Sequence, residues 1–115
     1  MSDILAERTP PQNIEAEQAV LGAVFLEQEA LITSSEILTA EDFYRPSHQR
    51  IYQVMLTLGE RGEPVDLVTV TAELENRKHL EDVGGVSYLT DLANSVPTAA
   101  NVEYYCRIIE QKSIL

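Results

Sequence analysis

The groups in this chain that could do chemistry are two histidines, one cysteine, paired carboxylates and five tyrosines. Glu75 and His79 are four residues apart, so a continuous helix would place carboxylate and imidazole on one face, as two metal ligands require. A site needs at least one more donor, and no second paired motif supplies it. A solvated helix end with a favourable charge pair explains both residues better. His48 falls in the first turn of a helix opened by Pro46 and is assigned to the surface or to packing. Cys106 lies on an apolar stripe and reads as a buried structural thiol, the usual use of a lone cysteine. Glu41 and Asp42 are adjacent carboxylates, but capping and the helix dipole account for them. No Ser/His/Asp or Cys/His set can be assembled. The glycines at 22, 59, 62, 84 and 85 match neither G-x-x-x-x-G-K-[ST] nor G-x-G-x-x-G, so these residues encode no phosphate cradle.

The tyrosines, at 44, 52, 88, 104 and 105, are the remaining signal. Tyr104 and Tyr105 are neighbours on one expected helix and point about 100° apart, so one can enter the core while the other faces out. Tyr88 follows the Gly84-Gly85 break and sits beside the apolar positions Val86 and Leu89. Exposed there, it would anchor an interface, because tyrosine buries a large area at low entropic cost. Partial burial in its own fold is an equally good account. Base stacking would need cations alongside, and only Arg77 and Lys78 are near in sequence.

The elements that must position these residues are helical. Residues 1–12 read as a flexible leader, since Thr9-Pro10-Pro11 favours extended backbone. Asn13 is an N-cap, and Glu15 and Glu17 sit in the first turn, where the helix dipole favours negative charge. From Ala19 to Leu26 that helix is apolar almost all round, so it should be central. Gly22, beside Ala19 and Ala23, marks a place for close approach by a neighbouring helix. A second helix is expected over Glu29 to Leu38, then a capped turn at Thr39 to Asp42. Ile51, Val54, Met55 and Leu58 form one buried stripe of a third helix, stopped by Gly59 and Gly62. Asp66 caps a helix with the stripe Leu67, Val70 and Leu74; a short helix follows Gly84-Gly85. Pro97-Thr98 caps a last helix carrying Val102, Tyr105, Cys106 and Ile109, which reaches Leu115 without a stop signal. The expected class is all-α, a compact multi-helix bundle. An unstopped helix of this kind is expected from a fragment cut inside a longer helix.

With 19 acidic and 8 basic residues the net charge is −11. Phosphate-backbone binding needs clustered Lys and Arg, which are absent, so tight DNA binding by this domain alone is not expected. The charge suits a basic protein partner, or simply solubility. No run of about 18 apolar residues spans a membrane. The start lacks an apolar signal core, and a lone cysteine forms no internal disulfide, so a cytoplasmic setting is expected.

Several blocks resemble one family. Pro10-Pro11-Gln12-Asn13-Ile14-Glu15-Ala16-Glu17-Gln18-Ala19-Val20-Leu21-Gly22 is similar to the opening of DnaB-family replicative helicases. So are Asp42-Phe43-Tyr44, His48-Gln49-Arg50-Ile51-Tyr52, Pro64-Val65-Asp66-Leu67-Val68-Thr69, Val83-Gly84-Gly85-Val86-Ser87-Tyr88-Leu89 and Pro97-Thr98-Ala99-Ala100-Asn101. The blocks span residues 9 to 115 in family order, and their details resemble the helicases of Gram-positive bacteria. The resemblance implies a globular helical head over 13–97 and, over 98–115, the first arm of a truncated helical hairpin. It implies a collar domain in a ring of six subunits that self-associates, supports assembly and docks the primase C-terminal domain, coupling unwinding to priming. A helicase loader is a further implied partner. Catalysis, with ATP and Mg, would belong to an absent C-terminal RecA-like domain, with no cofactor held by this fragment. On this basis Tyr88 is the candidate anchor for the partner, with Glu15 and Asp82 as polar contributors. A stand-alone acidic adaptor and a small metal or hydrolytic enzyme are the competing functions; the missing ligand set argues against the enzyme.

Overall fold

The first helix starts where its carboxamide cap predicts: Asn13 Oδ1 accepts from the Ala16 amide at 3.0 Å. A computed structural model describes residues 13–113. The leader assigned to 1–12 and the last two residues lie outside the described residues. Among the described residues the helices are α1 (Ile14–Leu26), α2 (Glu29–Ser35), α3 (Pro46–Glu60), α4 (Leu67–Asn76), α5 (Gly85–Ala93) and α6 (Val102–Ser113), with a 3₁₀ turn at Ala40–Asp42 and no strand. The chain is all-α, as the patterning predicts.

α1 is the central element and packs against α2, α3, α5 and α6. Its all-round apolar surface explains why: Val20, Leu21 and Val24 are completely buried. Gly22 lets α5 come close, since a Cβ there would collide with the Leu92 carbonyl and the Ser95 hydroxyl. The α3 stripe is buried as expected, with Ile51, Val54, Met55 and Leu58 all inside. Val70 and Leu74 of α4, Leu89 and Leu92 of α5, and Val102, Cys106 and Ile109 of α6 complete the same core. Asp66 caps α4 by accepting from the Thr69 amide at 2.9 Å, while Thr69 Oγ1 accepts from the Asp66 amide at 2.9 Å.

Three boundaries differ from the sequence reading, each for a local reason. α2 stops at Ser35 rather than Leu38. The Ser34 and Ser35 hydroxyls turn back on the Leu31 and Ile32 carbonyls, and the Ile37 and Leu38 amides both fold onto the Ser34 carbonyl. α6 starts at Val102 rather than just after Thr98. Thr98 Oγ1 accepts from the Ala100 amide at 3.1 Å, which closes a turn and not a helix. α4 ends at Asn76, and Lys78 sits in the left-handed region at φ 65°, so Glu75 and His79 do not share a helix face. No helix among the described residues is long and apolar enough to cross a membrane.

Candidate functional site

The unusual chemistry of this domain begins on the buried face of α1. Glu17 is one turn ahead of Val20 and Leu21 on the same stripe and is only 1 % exposed. A carboxylate at such a position must be hydrogen-bonded, because an unpaired buried charge costs several kcal/mol. Its Oε2 accepts from the Tyr44 amide at 2.7 Å, and its Oε1 faces the Arg45 amide at 3.5 Å and His48 Nδ1 at 2.7 Å.

His48 holds the matching position on α3, one turn ahead of Ile51 and Tyr52, and is fully buried. It is a packing residue, as one of the two sequence assignments has it, but a polar one with both ring nitrogens engaged. Its Nε2 lies 2.6 Å from the Tyr88 hydroxyl. The two rings stack with centroids 5.9 Å apart and planes 8° from parallel, and Phe43 closes the site with its ring edge-on to His48. The Pro46 start of α3 and the bonds of Glu17 to the preceding backbone fix where this helix begins.

Tyr88 is half-buried on the first turns of α5. Gly84, at φ 111°, lies beneath it: a Cβ there would sit 2.7 Å from the Tyr88 Cβ. Glycine is needed at 84 both for the backbone angle and for room. The Tyr88 hydroxyl also accepts from Gln18 Nε2 at 3.1 Å and Arg45 Nη1 at 3.2 Å. The ring is thus a partly buried group packed against the core, with its polar end tied inward.

The other two candidates occupy different surroundings. Glu15 is exposed and lines a shallow depression with Ala19 of α1 and Tyr105 and Ile108 of α6. Asp82 is exposed in the turn before α5; its carboxylate accepts from Arg50 Nη1 at 2.9 Å and lies 3.8 Å from His79 Nδ1. Neither is hydrogen-bonded to Tyr88. Among the described residues no three His, Cys, Asp or Glu side chains are grouped to hold a metal ion. Burial pushes the Cys106 thiol up to about 12, which suppresses the thiolate that nucleophilic chemistry requires. Burial likewise raises the Tyr52 phenol to about 12, against the lowering effect of its bond with Ser34.

Glu17 and His48 are the site residues that sequence reasoning missed. The helix dipole gave Glu17 a sufficient explanation, and the α3 stripe was started one turn late. Their signal was available in the spacing: each stands one helical turn ahead of the apolar run of its stripe, Glu17 before Val20 and Leu21 and His48 before Ile51.

Comparison with known proteins gives the wider context. The profile of the DnaB-like helicase N terminal domain matches residues 9–111. The replicative DNA helicase DnaC of Bacillus subtilis is 70% identical over all 115 residues, and the replicative DNA helicase DnaB of Geobacillus stearothermophilus 66%. The chain spans 25% of the length of each of these relatives. The crystal structure of the N-terminal domain of DnaB helicase from Mycobacterium tuberculosis superposes with a TM-score of 0.90 at 48% identity, over 93% of this chain and 74% of that one. A solved DnaB-like replicative helicase, described together with its interactions with primase, superposes with a TM-score of 0.76 at 34% identity, over 88% of this chain and 24% of that one. The chain belongs to the DnaB-like helicase N-terminal domain family.

Proposed function

We propose that this chain is the collar domain of a hexameric replicative DNA helicase and that it docks the C-terminal domain of a primase. The observation that carries this reading is Tyr88, a half-buried ring packed against the core whose polar end is held inward by His48 and which keeps part of its surface exposed. Such pre-ordered aromatic groups supply binding energy without an ordering cost. Likeness to a helicase described with its primase interactions supports the choice of partner. Glu15 and Asp82, both exposed carboxylates, serve as polar contributors that favour a basic partner surface.

The domain acts by binding. Its glycines form no phosphate-binding spacing, so ATP and Mg do not fit the residues present, and nucleotide chemistry falls to the rest of such a helicase. The segment that starts at residue 98 begins the hairpin through which collars self-associate, while Val102, Cys106 and Ile109 also seal the head. Titrating the primase C-terminal domain into the chain and into Tyr88→Ala tests the reading. The substitution should weaken binding about 30-fold or more, as expected for an interface anchor. Equal affinity, with an intact far-UV spectrum, removes Tyr88 from the site.

A further inference from the structure

The Tyr88 hydroxyl has no hydrogen-bonding capacity left for a partner. It meets three nitrogens: His48 Nε2 at 2.6 Å, Gln18 Nε2 at 3.1 Å and Arg45 Nη1 at 3.2 Å. The Gln18 amide and the Arg45 guanidinium are donors, and a phenol oxygen accepts through two lone pairs. The phenol proton therefore goes to His48 Nε2. That nitrogen is bare because the ring's proton sits on Nδ1, directed at Glu17 Oε1 2.7 Å away. With Nε2 also protonated, three donors would converge on one oxygen whose own proton had no acceptor. A continuous chain thus runs from the buried Glu17 carboxylate through His48 and Tyr88 to Arg45 at the surface.

Arg45 is distinctive at the outer end. Arg50, Arg61, Arg77 and Arg107 each pair with a carboxylate. Arg45 has no such pair among the described residues, and its side chain bonds there to the Tyr88 hydroxyl. A guanidinium carries five N–H donors, and among the described residues that of Arg45 bonds only to the Tyr88 hydroxyl. In a chain of net charge −11, it is a point at which an acidic group is attracted. Such a point fixes the register of an otherwise basic partner.

We infer that Glu17 and His48 are positioning residues: by aiming the Tyr88 hydroxyl inward they fix ring and Arg45 as one composite contact, suited to a partner segment that carries a carboxylate beside an apolar side chain. This rests on the docking reading and deepens it. Two measurements separate their failures. Nitrogen-15 NMR of the histidines in the 115-residue chain, without partner, should show His48 protonated at Nδ1 and bare at Nε2, with Tyr88→Phe displacing only the Nε2 signal. An Nε2-protonated ring overturns the inference whatever the partner does. In titrations with the primase C-terminal domain, His48→Leu and Arg45→Ala should each weaken binding about tenfold. His48→Gln, whose amide oxygen can still accept from Tyr88, should stay within about threefold. Should His48→Leu fail to fold, Arg45→Ala carries the test, since Arg45 is exposed. Weakening by Tyr88→Ala alone, with both others at full affinity, overturns the positioning role and leaves the docking surface standing. Full affinity for Tyr88→Ala overturns both.

Discussion

Two carboxylates of this domain each bond a nitrogen base or cation on α3, in opposite surroundings. Glu17 meets His48 at 2.7 Å with side chains 2% and 0% exposed; Asp82 meets Arg50 at 2.9 Å with side chains 61% and 39% exposed. The distances are nearly equal and the energetics are not. In water the Asp82 pair is screened and contributes little. In the core, each partner of the Glu17 pair depends on the other, because a buried polar group left alone has nothing to replace its lost hydration. A short distance therefore says less about the importance of a contact than the solvent around it.

The sharpest way to break this contrast is to remove one side of each pair. Glu17→Ala should cost about 2–5 kcal/mol of unfolding free energy, since it leaves the His48 Nδ1–H and the Tyr44 amide as two buried donors without an acceptor, each worth about 1–3 kcal/mol. Asp82→Ala, measured by the same urea titration, should cost less than about 1 kcal/mol. Equal losses would show that burial is not what distinguishes them. Between these extremes lies Gly22→Ala, which forces α1 away from the Leu92 carbonyl and Ser95 and should cost about 1–3 kcal/mol without touching any charge. A change of opposite sign is expected at Lys78, whose left-handed backbone suits glycine: Lys78→Gly should stabilise by up to about 1 kcal/mol.

Titration with base sharpens the contrast further. Cys106 and Tyr52 are raised by burial from 9.0 and 10.0 to about 12. The folded state keeps protons that the unfolded chain sheds, so their contribution is complete below pH 9.0 and is lost as pH rises toward about 12. The urea midpoint should fall across that window, and Cys106→Ser should blunt the first part of the fall. On the acid side, Arg77 holds Glu73 below its ordinary value of 4.5. The small contribution of that pair is present above 4.5 and disappears as pH falls through the lowered value.

Much of the fold was legible because helices announce themselves locally. Asn13 and Asp66 cap as their side chains require, and the α3 stripe is buried at every position named for it. The end of α2 and the start of α6 were not legible, since a serine pair and a threonine turn decide them by competition between side-chain and backbone bonds. The site was legible only at its surface. Tyr88 stood out by its place after two glycines, whereas Glu17 and His48 lie 31 residues apart and meet only through the packing of α1 on α3. An acid in the first turn of a helix has a local explanation, and that explanation hid the long-range one.

The most direct test of the docking account is the mass of the chain in solution, alone and mixed with the primase C-terminal domain. The account predicts a new species whose mass is the sum of the two. Unchanged masses for both components, at concentrations well above micromolar, would contradict it.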